Sequence, residues 1–252
     1  MWLRLRQICL VAADIEAVTG QLERVFDLCV GHIDPAVGRW GLENRLLPIG
    51  NQLLEVVSPV QQGTAAGRYL DKRGGDGGYM VITQCDDVAL RRARVDALGV
   101  RVANALQHDD YNGMQLHPRD TGGAFFEIDQ QLTDNAPDGD WHPAGPHWRD
   151  YRSTTVVDRI DAAELQGLDP RKLAERWGDI AQLPVVGDAG AHSIELENAA
   201  LRFVDLQDSR GEGLGALYLH AVDRDAALER ARAEGVLGTN DVIEICGTRF
   251  YV

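Results

Sequence analysis

The sequence has few cysteines, few aromatic residues and no long apolar run. Its 4 cysteines among 252 residues are scattered without a C-x-x-C pair, which argues against a disulfide scaffold or a structural zinc site. No segment approaches the roughly 20 consecutive apolar residues that a membrane helix needs. The N-terminal stretch from Met1 to Arg6 lacks the apolar core of a signal peptide and is typical of a starting strand. We therefore expect a cytoplasmic protein with reduced thiols.

Basic residues are also scarce, with 25 Lys and Arg against 39 Asp and Glu, a formal net charge of -14. This acidic excess repels nucleic acid and anionic membrane surfaces, so neither is an expected partner. Neither G-x-G-x-x-G, G-x-x-x-x-G-K-[ST] nor G-x-S-x-G occurs, and the glycine-rich stretch 73–78 precedes a predicted strand rather than a helix. Small molecules or other proteins remain as partners.

The first 60 residues predict a strand, a helix and two or three antiparallel strands. Apolar residues run from Leu3 to Ala13, and Asp14 stands where a helix N-cap belongs. The residues Gly50-Asn51 are typical of a type I′ hairpin turn between strands at 44–48 and 53–57. The same order follows at 79–128: a strand, a helix after Asp86-Asp87, then strands at 100–102, 114–117 and 124–128, the last two joined by a Gly122-Gly123 turn.

Residues 132–150 are rich in proline and aspartate and predict a linker. Beyond it, at 151–252, the same kinds of elements recur, including helices at 169–183 and 225–235. The helix that starts at Asp87 is echoed by the sequence from Asp225, an offset of 225 − 87 = 138 residues. We therefore predict an α+β fold of tandem βαβββ modules in two similar domains, 1–131 and 151–252.

Three motifs resemble the vicinal oxygen chelate superfamily: E-N-R-L-L-P-I-G at 43–50, G-N-Q-L-L-E-V-V-S-P at 50–59 and L-H-P-R-D-T-G-G-A-F-F-E-I at 116–128. The last resembles the end of methylmalonyl-CoA epimerases. The motif at 50–59 resembles both epimerases and the glyoxalase-like branch, and the motif at 43–50 also fits there. The resemblance implies two glyoxalase/bleomycin-resistance/dioxygenase-type domains with curved sheets and helices on the outside. It also implies a homodimer, although tandem domains can form the same interface within one chain.

The resemblance further implies a divalent ion (Mn, Co, Ni, Zn or Mg) held by four inward-facing side chains. Three of the corresponding positions are Gln7, Glu55 and Glu127, while the fourth, where a histidine is expected, falls on Met80. A thioether is a poor ligand for hard metals, so such a site either holds an ion weakly or holds none.

Each candidate also has a structural explanation. Strand alternation alone can put Glu55 and Glu127 on a solvent face, and a glutamine such as Gln7 is common on a surface. His117, Asp120 and Thr121 are expected to fix a turn rather than to catalyse. The second domain offers no set of two histidines and one glutamate, so a ring-cleaving dioxygenase is not predicted. Its expected role is scaffolding, cleft closure or dimerisation.

Two functions follow from these residues. One is a lyase or isomerase that abstracts a proton next to a carbonyl of a small polar substrate, with Glu127 or Glu55 as general base and a divalent ion to stabilise the resulting anion. Base and metal compete there for the same carboxylates. The alternative is a metal-free binding protein of the drug-resistance type. Met80 favours binding and the paired glutamates favour the enzyme. Either would use a cleft lined by substrate-binding residues Met80, Trp40, Phe126 and His32.

Overall fold

The computed structural model of the chain describes residues 1–188 and 191–252. No helix within those residues has the length and apolar character needed to cross a membrane. The first half of the chain holds ten regular elements, listed in order: β1 (Leu3–Val11), α1 (Ile15–Phe26), β2 (Leu42–Ile49), β3 (Gln52–Pro59), α2 (Ala65–Arg73), β4 (Gly77–Cys85), α3 (Val88–Ala97), β5 (Val102–Gln107), β6 (Tyr111–Leu116) and β7 (Phe125–Gln131).

The second half repeats this alternation of strands and helices. Its elements are β8 (Val157–Gly167), α4 (Pro170–Ala181), β9 (Val185–Asp188), β10 (Ala191–Glu195), β11 (Ala200–Asp205), β12 (Gly213–Ala221), α5 (Arg224–Ala233), β13 (Ile243–Ile245) and β14 (Thr248–Tyr251).

The strands form two seven-stranded sheets, with the orders β2-β3-β1-β4-β7-β6-β5 and β13-β14-β12-β8-β11-β10-β9. Each sheet comes from one half of the chain, which confirms the predicted α+β fold of tandem modules. The second and third modules are complete βαβββ units, whereas the first and fourth have two strands after their helices.

Each module's helix begins at an aspartate that accepts a hydrogen bond from a free backbone N–H of the first turn. The caps are Asp14 on α1, Asp87 on α3, Asp169 on α4 and Asp223 on α5. The predicted caps Asp14 and Asp87 are confirmed. On α5 the cap lies two residues before the predicted start at Asp225, so the echoed sequences are shifted relative to their caps.

The turn between β2 and β3 differs from the predicted type I′. Gly50 has a positive φ of 54, but Asn51 is not among the residues with positive φ. A type I′ turn needs a positive φ at both central residues, and a type II′ turn needs it at the first alone. A Cβ at Gly50 would also lie 2.0 Å from the backbone oxygen of Asp158, so glycine is required there.

Other boundaries moved as well. The turn predicted at Gly122-Gly123 is an eight-residue connection, 117–124, and the strand predicted at 100–102 lies at β5 instead. The strand predicted at 154–157 begins only at Val157. Helix α2 and strand β9 were not predicted; α2 starts after Thr64, whose side chain accepts from the Gly67 N–H.

The chain divides into two compact units that each combine several segments. One comprises Met1–Gln7, Tyr79–His142 and Ala162–Leu214; the other comprises Ile8–Gly78, Pro143–Asp161 and Gly215–Val252. We refer to them as the first and second unit. Because each unit draws on both halves, the predicted domain boundaries at 131 and 151 stay a prediction.

Candidate functional site

In the first unit, strand β7 carries two carboxylates on one face. Glu127 lies opposite Ile82 of β4 and Gln115 of β6, and Asp129 lies opposite Gln84 and Gly113 on the same strands. Since side chains alternate along a strand, residues 127 and 129 point to the same side of the sheet. Glu127 is 3% exposed and Asp129 is fully buried.

The two carboxyl groups interact, and the interaction favours a proton on Asp129. Burial raises the pKa of Asp129 well above its usual range, and the negative charge of Glu127 raises it further. A buried acid pair that retains a proton can donate or accept one at a substrate, as general acid–base catalysis needs.

Tyr111 and Gly113 on β6 shape the surroundings of Asp129. The Tyr111 hydroxyl donates to Oδ2 of Asp129 at 2.5 Å. A Cβ at position 113 would lie 1.8 Å from Oδ1 of Asp129, so only glycine leaves room for that carboxylate. Beside it, the fully buried amide of Gln84 has no hydrogen-bond partner among the described residues, at either its oxygen or its nitrogen.

Gln7, at the end of the first unit's N-terminal segment, contacts the predicted linker. The indole Nε1 of Trp141 donates to Oε1 of Gln7 at 3.0 Å, and both side chains are buried. The Trp141 ring also packs edge-on against Tyr111, with 5.4 Å between ring centroids. The linker thus supplies a side chain to a predicted ligand.

Met80 and Phe126 lie on different faces of the sheet. Met80 is opposite Phe125 and is 7% exposed. It shares the face of Glu127, because residues 125 and 127 are two apart on one strand. Phe126 points to the other side, where its ring stacks on Trp177 of α4 at 4.2 Å. The structure therefore does not bring Phe126 together with Glu127 or Met80.

In the second unit, Glu55 of β3 is held by Asn44 of β2. The Asn44 amide donates to Oε1 of Glu55 at 2.7 Å, and its own oxygen accepts from the Asp34 N–H at 2.9 Å. Asn44 is 1% exposed and Glu55 is 7% exposed. One buried amide thereby orients the carboxylate and fixes the loop before β2.

His32 lies on the same face as Glu55. Leu46 pairs with Glu55 on β3 and forms a bridge with His32 on its other side. Paired residues point the same way, so His32 and Glu55 lie on either side of Leu46. Two strand spacings put their backbones about 9–10 Å apart. Trp40 ends a 3-10 helix, Pro35–Trp40, with the Arg39 guanidinium 3.9 Å from its ring centroid.

Four residues of these surroundings escaped sequence reasoning. The period of two along β7 could have placed Asp129 beside Glu127, and the same period on β2 could have placed Asn44 toward the face of Glu55. Tyr111 had no signal, because it lies outside the strand predicted at 114–117. Trp141 had none, because its contact with Gln7 joins residues 134 positions apart.

The residues present do not fit a divalent ion well. Within residues 1–188 and 191–252, no group of three or more His, Cys, Asp or Glu side chains could hold a metal. Gln7 accepts from an indole, Glu55 accepts from an amide, and position 80 offers a thioether. We therefore derive no chemistry from a metal.

An open groove of about 580 Å³ lies elsewhere on the first unit. It is formed by α3, α4 and the start of β9 and contains none of the predicted site residues; its lining is Arg94, Glu175, Gly178, Asp179, Gln182, Leu183 and Val185.

No family model matches the chain. An ethylmalonyl-CoA/methylmalonyl-CoA epimerase from Cereibacter sphaeroides is 22% identical over 131 residues, which cover 50% of this chain and 97% of that protein. A methylmalonyl-CoA epimerase structure from Mycobacterium tuberculosis is 20% identical, with a TM-score of 0.45 over 50% of this chain and 87% of its own.

The similarity reaches both halves of the chain in one solved structure. A mutant 4-hydroxymandelate synthase from Streptomyces coelicolor has a TM-score of 0.71 and 17% identity, covering 92% of this chain and 75% of its own. At 17% identity, this likeness is evidence for the fold alone.

Proposed function

Since the chain has the tandem-domain fold of the vicinal oxygen chelate superfamily, we propose that it catalyses proton transfer at a carbon next to a carbonyl group, as an isomerase or lyase. The substrate is a small polar acid or thioester. Glu127 or Glu55 is the general base.

The arrangement around Glu55 carries this proposal. A carboxylate inside a strand is costly to bury, and here it is stabilised by a neutral donor, the Asn44 amide at 2.7 Å. A neutral donor orients the carboxylate without cancelling its charge, so the group remains a base. Its face also presents His32, a residue suited to contact a polar substrate.

Glu127 supports the proposal from the first unit. Its partner Asp129 retains a proton more strongly than an ordinary aspartate, because of burial and the neighbouring charge. Such a pair can exchange a proton with the carbon of a substrate bound beside it, as an isomerisation needs. The epimerase from Cereibacter sphaeroides, whose name states action on methylmalonyl-CoA, directs the choice of first substrates.

The test follows exchange of the proton next to the carbonyl for deuterium by NMR in D2O. The substrates are methylmalonyl-CoA, other short acyl-CoA thioesters and 2-oxo acids. We expect exchange with at least one class, reduced about 10²–10⁴-fold in Glu55→Gln or Glu127→Gln. The matched control is Glu244→Gln, an exposed glutamate on β13, which should exchange at the wild-type rate. Equal exchange in all variants would contradict the assignment.

A second candidate is ligand sequestration, favoured by the apolar pairing at Met80. Met80 faces Phe125, whose ring contacts Tyr79 at 5.1 Å, so this part of the sheet face is apolar. Sequestration predicts saturable binding of the same compounds without exchange, and binding that survives both Glu→Gln substitutions. Equilibrium dialysis of wild type and variants separates the two functions.

A further inference from the structure

The oxygen of Gln7 that would face a cation is occupied by a side chain of the same unit. The Trp141 indole donates to it at 3.0 Å, and the two side chains are 2% and 1% exposed. The indole brings its ring with it, so the space next to the oxygen holds apolar atoms. A metal ion needs that space for its other ligands and water.

A positive charge also lies close to this contact. The Arg6 guanidinium carbon is 5.4 Å from the centroid of the Trp141 ring. Arg6 is 1% exposed, so water screens its charge little. The buried charge of Arg6 thus lies beside the ring that covers the Gln7 oxygen.

The segment that carries Trp141 is anchored on both sides of the ring. Arg6 donates to the carbonyl oxygens of Pro137 and Gly139, the latter at 2.8 Å. The His142 N–H donates to Oε1 of Gln131 at 2.9 Å. The contact between Trp141 and Gln7 is thus a built feature of the unit rather than a chance approach of a linker.

In the second unit, the predicted ligand Glu55 also accepts a hydrogen bond from a neighbouring side chain. Oε1 of Glu55 accepts from the Asn44 amide, and that amide is held in turn by the Asp34 N–H. Position 80 contributes a thioether where the resemblance expects an imidazole. Two of the three predicted oxygen ligands, Gln7 and Glu55, therefore accept hydrogen bonds from other side chains of the protein.

We infer that this protein works without a divalent ion and that internal hydrogen bonds, above all from Trp141 to Gln7, take the place of the cation. This inference rests on the contacts of the predicted ligands and is independent of the proposed function. It holds whether the chain is an enzyme or a binding protein.

The first test measures metal directly. Protein purified without chelator is examined by native mass spectrometry and titrated with Mn²⁺, Co²⁺, Ni²⁺ and Zn²⁺ by calorimetry. We expect no stoichiometric ion and no saturable binding up to millimolar concentration. One ion per chain, lost in Gln7→Ala, would overturn the inference.

The second test asks whether Trp141 holds the place of the ion. The double variant Met80→His with Trp141→Phe restores the imidazole and removes the indole donor. We expect its affinity for Co²⁺ or Ni²⁺ to exceed that of the wild type by about tenfold or more. Circular dichroism confirms that the variants are folded.

The matched control combines Met80→His with Trp40→Phe, which replaces a half-buried tryptophan of the second unit. If this control gains as much affinity as the Trp141 variant, or if neither gains any, the role given to Trp141 is refuted. Because the readout is metal affinity, its failure leaves the proton-transfer proposal untouched.

Discussion

The Tyr111 hydroxyl donates to Oδ2 of Asp129 at 2.5 Å, and both side chains are buried in the first unit. This hydrogen bond lowers the pKa of Asp129, against the stronger raising effects of burial and of the Glu127 charge. The other groups opposite Asp129 are the neutral Gln84 and Gly113. The pair on β7 is therefore an acid whose protonation is linked to folding.

The raised pKa of Asp129 predicts a stability that falls as pH rises. Above the ordinary aspartate pKa of about 4, the unfolded chain releases the Asp129 proton while the folded chain keeps it. Since the folded state then binds more protons, the free energy of unfolding decreases with increasing pH. Asp129→Asn should flatten this dependence of stability on pH. Urea unfolding between about pH 4 and pH 8 measures it.

Tyr111→Phe should act in the opposite direction on the same dependence. Loss of the hydroxyl removes the interaction that lowers the pKa of Asp129, so the decline of stability continues to higher pH. It should also cost about 1–3 kcal/mol of stability, because a buried oxygen loses its donor. Tyr151→Phe, at an exposed tyrosine, is the control and should change neither quantity. A decline that ends at the same pH in Tyr111→Phe as in the wild type would show that the hydroxyl does not reach Asp129.

Phe126 is predicted to matter for stability rather than for ligand binding. Its ring stacks on Trp177 of α4 at 4.2 Å, and Trp177 Nε1 donates to the Thr121 carbonyl at 3.0 Å. Phe126→Ala should lower the free energy of unfolding by about 3–5 kcal/mol.

The neighbouring Phe125 provides a control on the opposite face. It is half-buried beside Met80, so Phe125→Ala should destabilise less but weaken ligand binding. Thermal unfolding and equilibrium dialysis on both variants distinguish the two roles. A stable Phe126→Ala protein with lost binding would restore the lining role predicted from the sequence.

The sequence predicted the fold better than the site, for a physical reason. Apolar alternation and aspartate caps are local signals. The order of strands and helices and the caps Asp14 and Asp87 could therefore be predicted from short stretches of sequence. The resemblance to the superfamily is confirmed as well. The partners of Gln7 and Asp129 depend instead on packing between segments distant in the chain, which no local pattern encodes.

Arg101 and Asp120 predict acid sensitivity. Asp120 accepts three hydrogen bonds from Arg101, two from the guanidinium at 2.7 and 2.8 Å and one from its N–H at 3.0 Å. The Arg101 hydrogen bonds lower the pKa of Asp120 to about 2. The resulting stabilisation is complete above the usual aspartate pKa and is lost as pH falls towards about 2.

Arg101→Gln should therefore move acid unfolding to higher pH, as followed by circular dichroism. The matched control is Arg92→Gln, which breaks an exposed pair with Asp96 on α3. That pair is worth little in water, so the control should unfold with the wild type. Identical acid curves for both variants would mean that the connection between β6 and β7 does not depend on this contact.

Asn44 is predicted to govern the charge state of Glu55. In Asn44→Asp the new carboxylate can still accept from the Asp34 N–H, but it cannot donate to Glu55. Two acids then face each other in a buried position, which raises the pKa of the pair. A raised acid pKa gives stability at low pH that is lost as pH rises.

We therefore expect Asn44→Asp to lose about 1–3 kcal/mol at neutral pH and to recover part of it near pH 5. Asn112→Asp, at a half-buried position of β6, is the control and should show no such recovery. Urea unfolding at the two pH values measures the loss of stability. A loss that is independent of pH would mean that residue 44 does not contact Glu55.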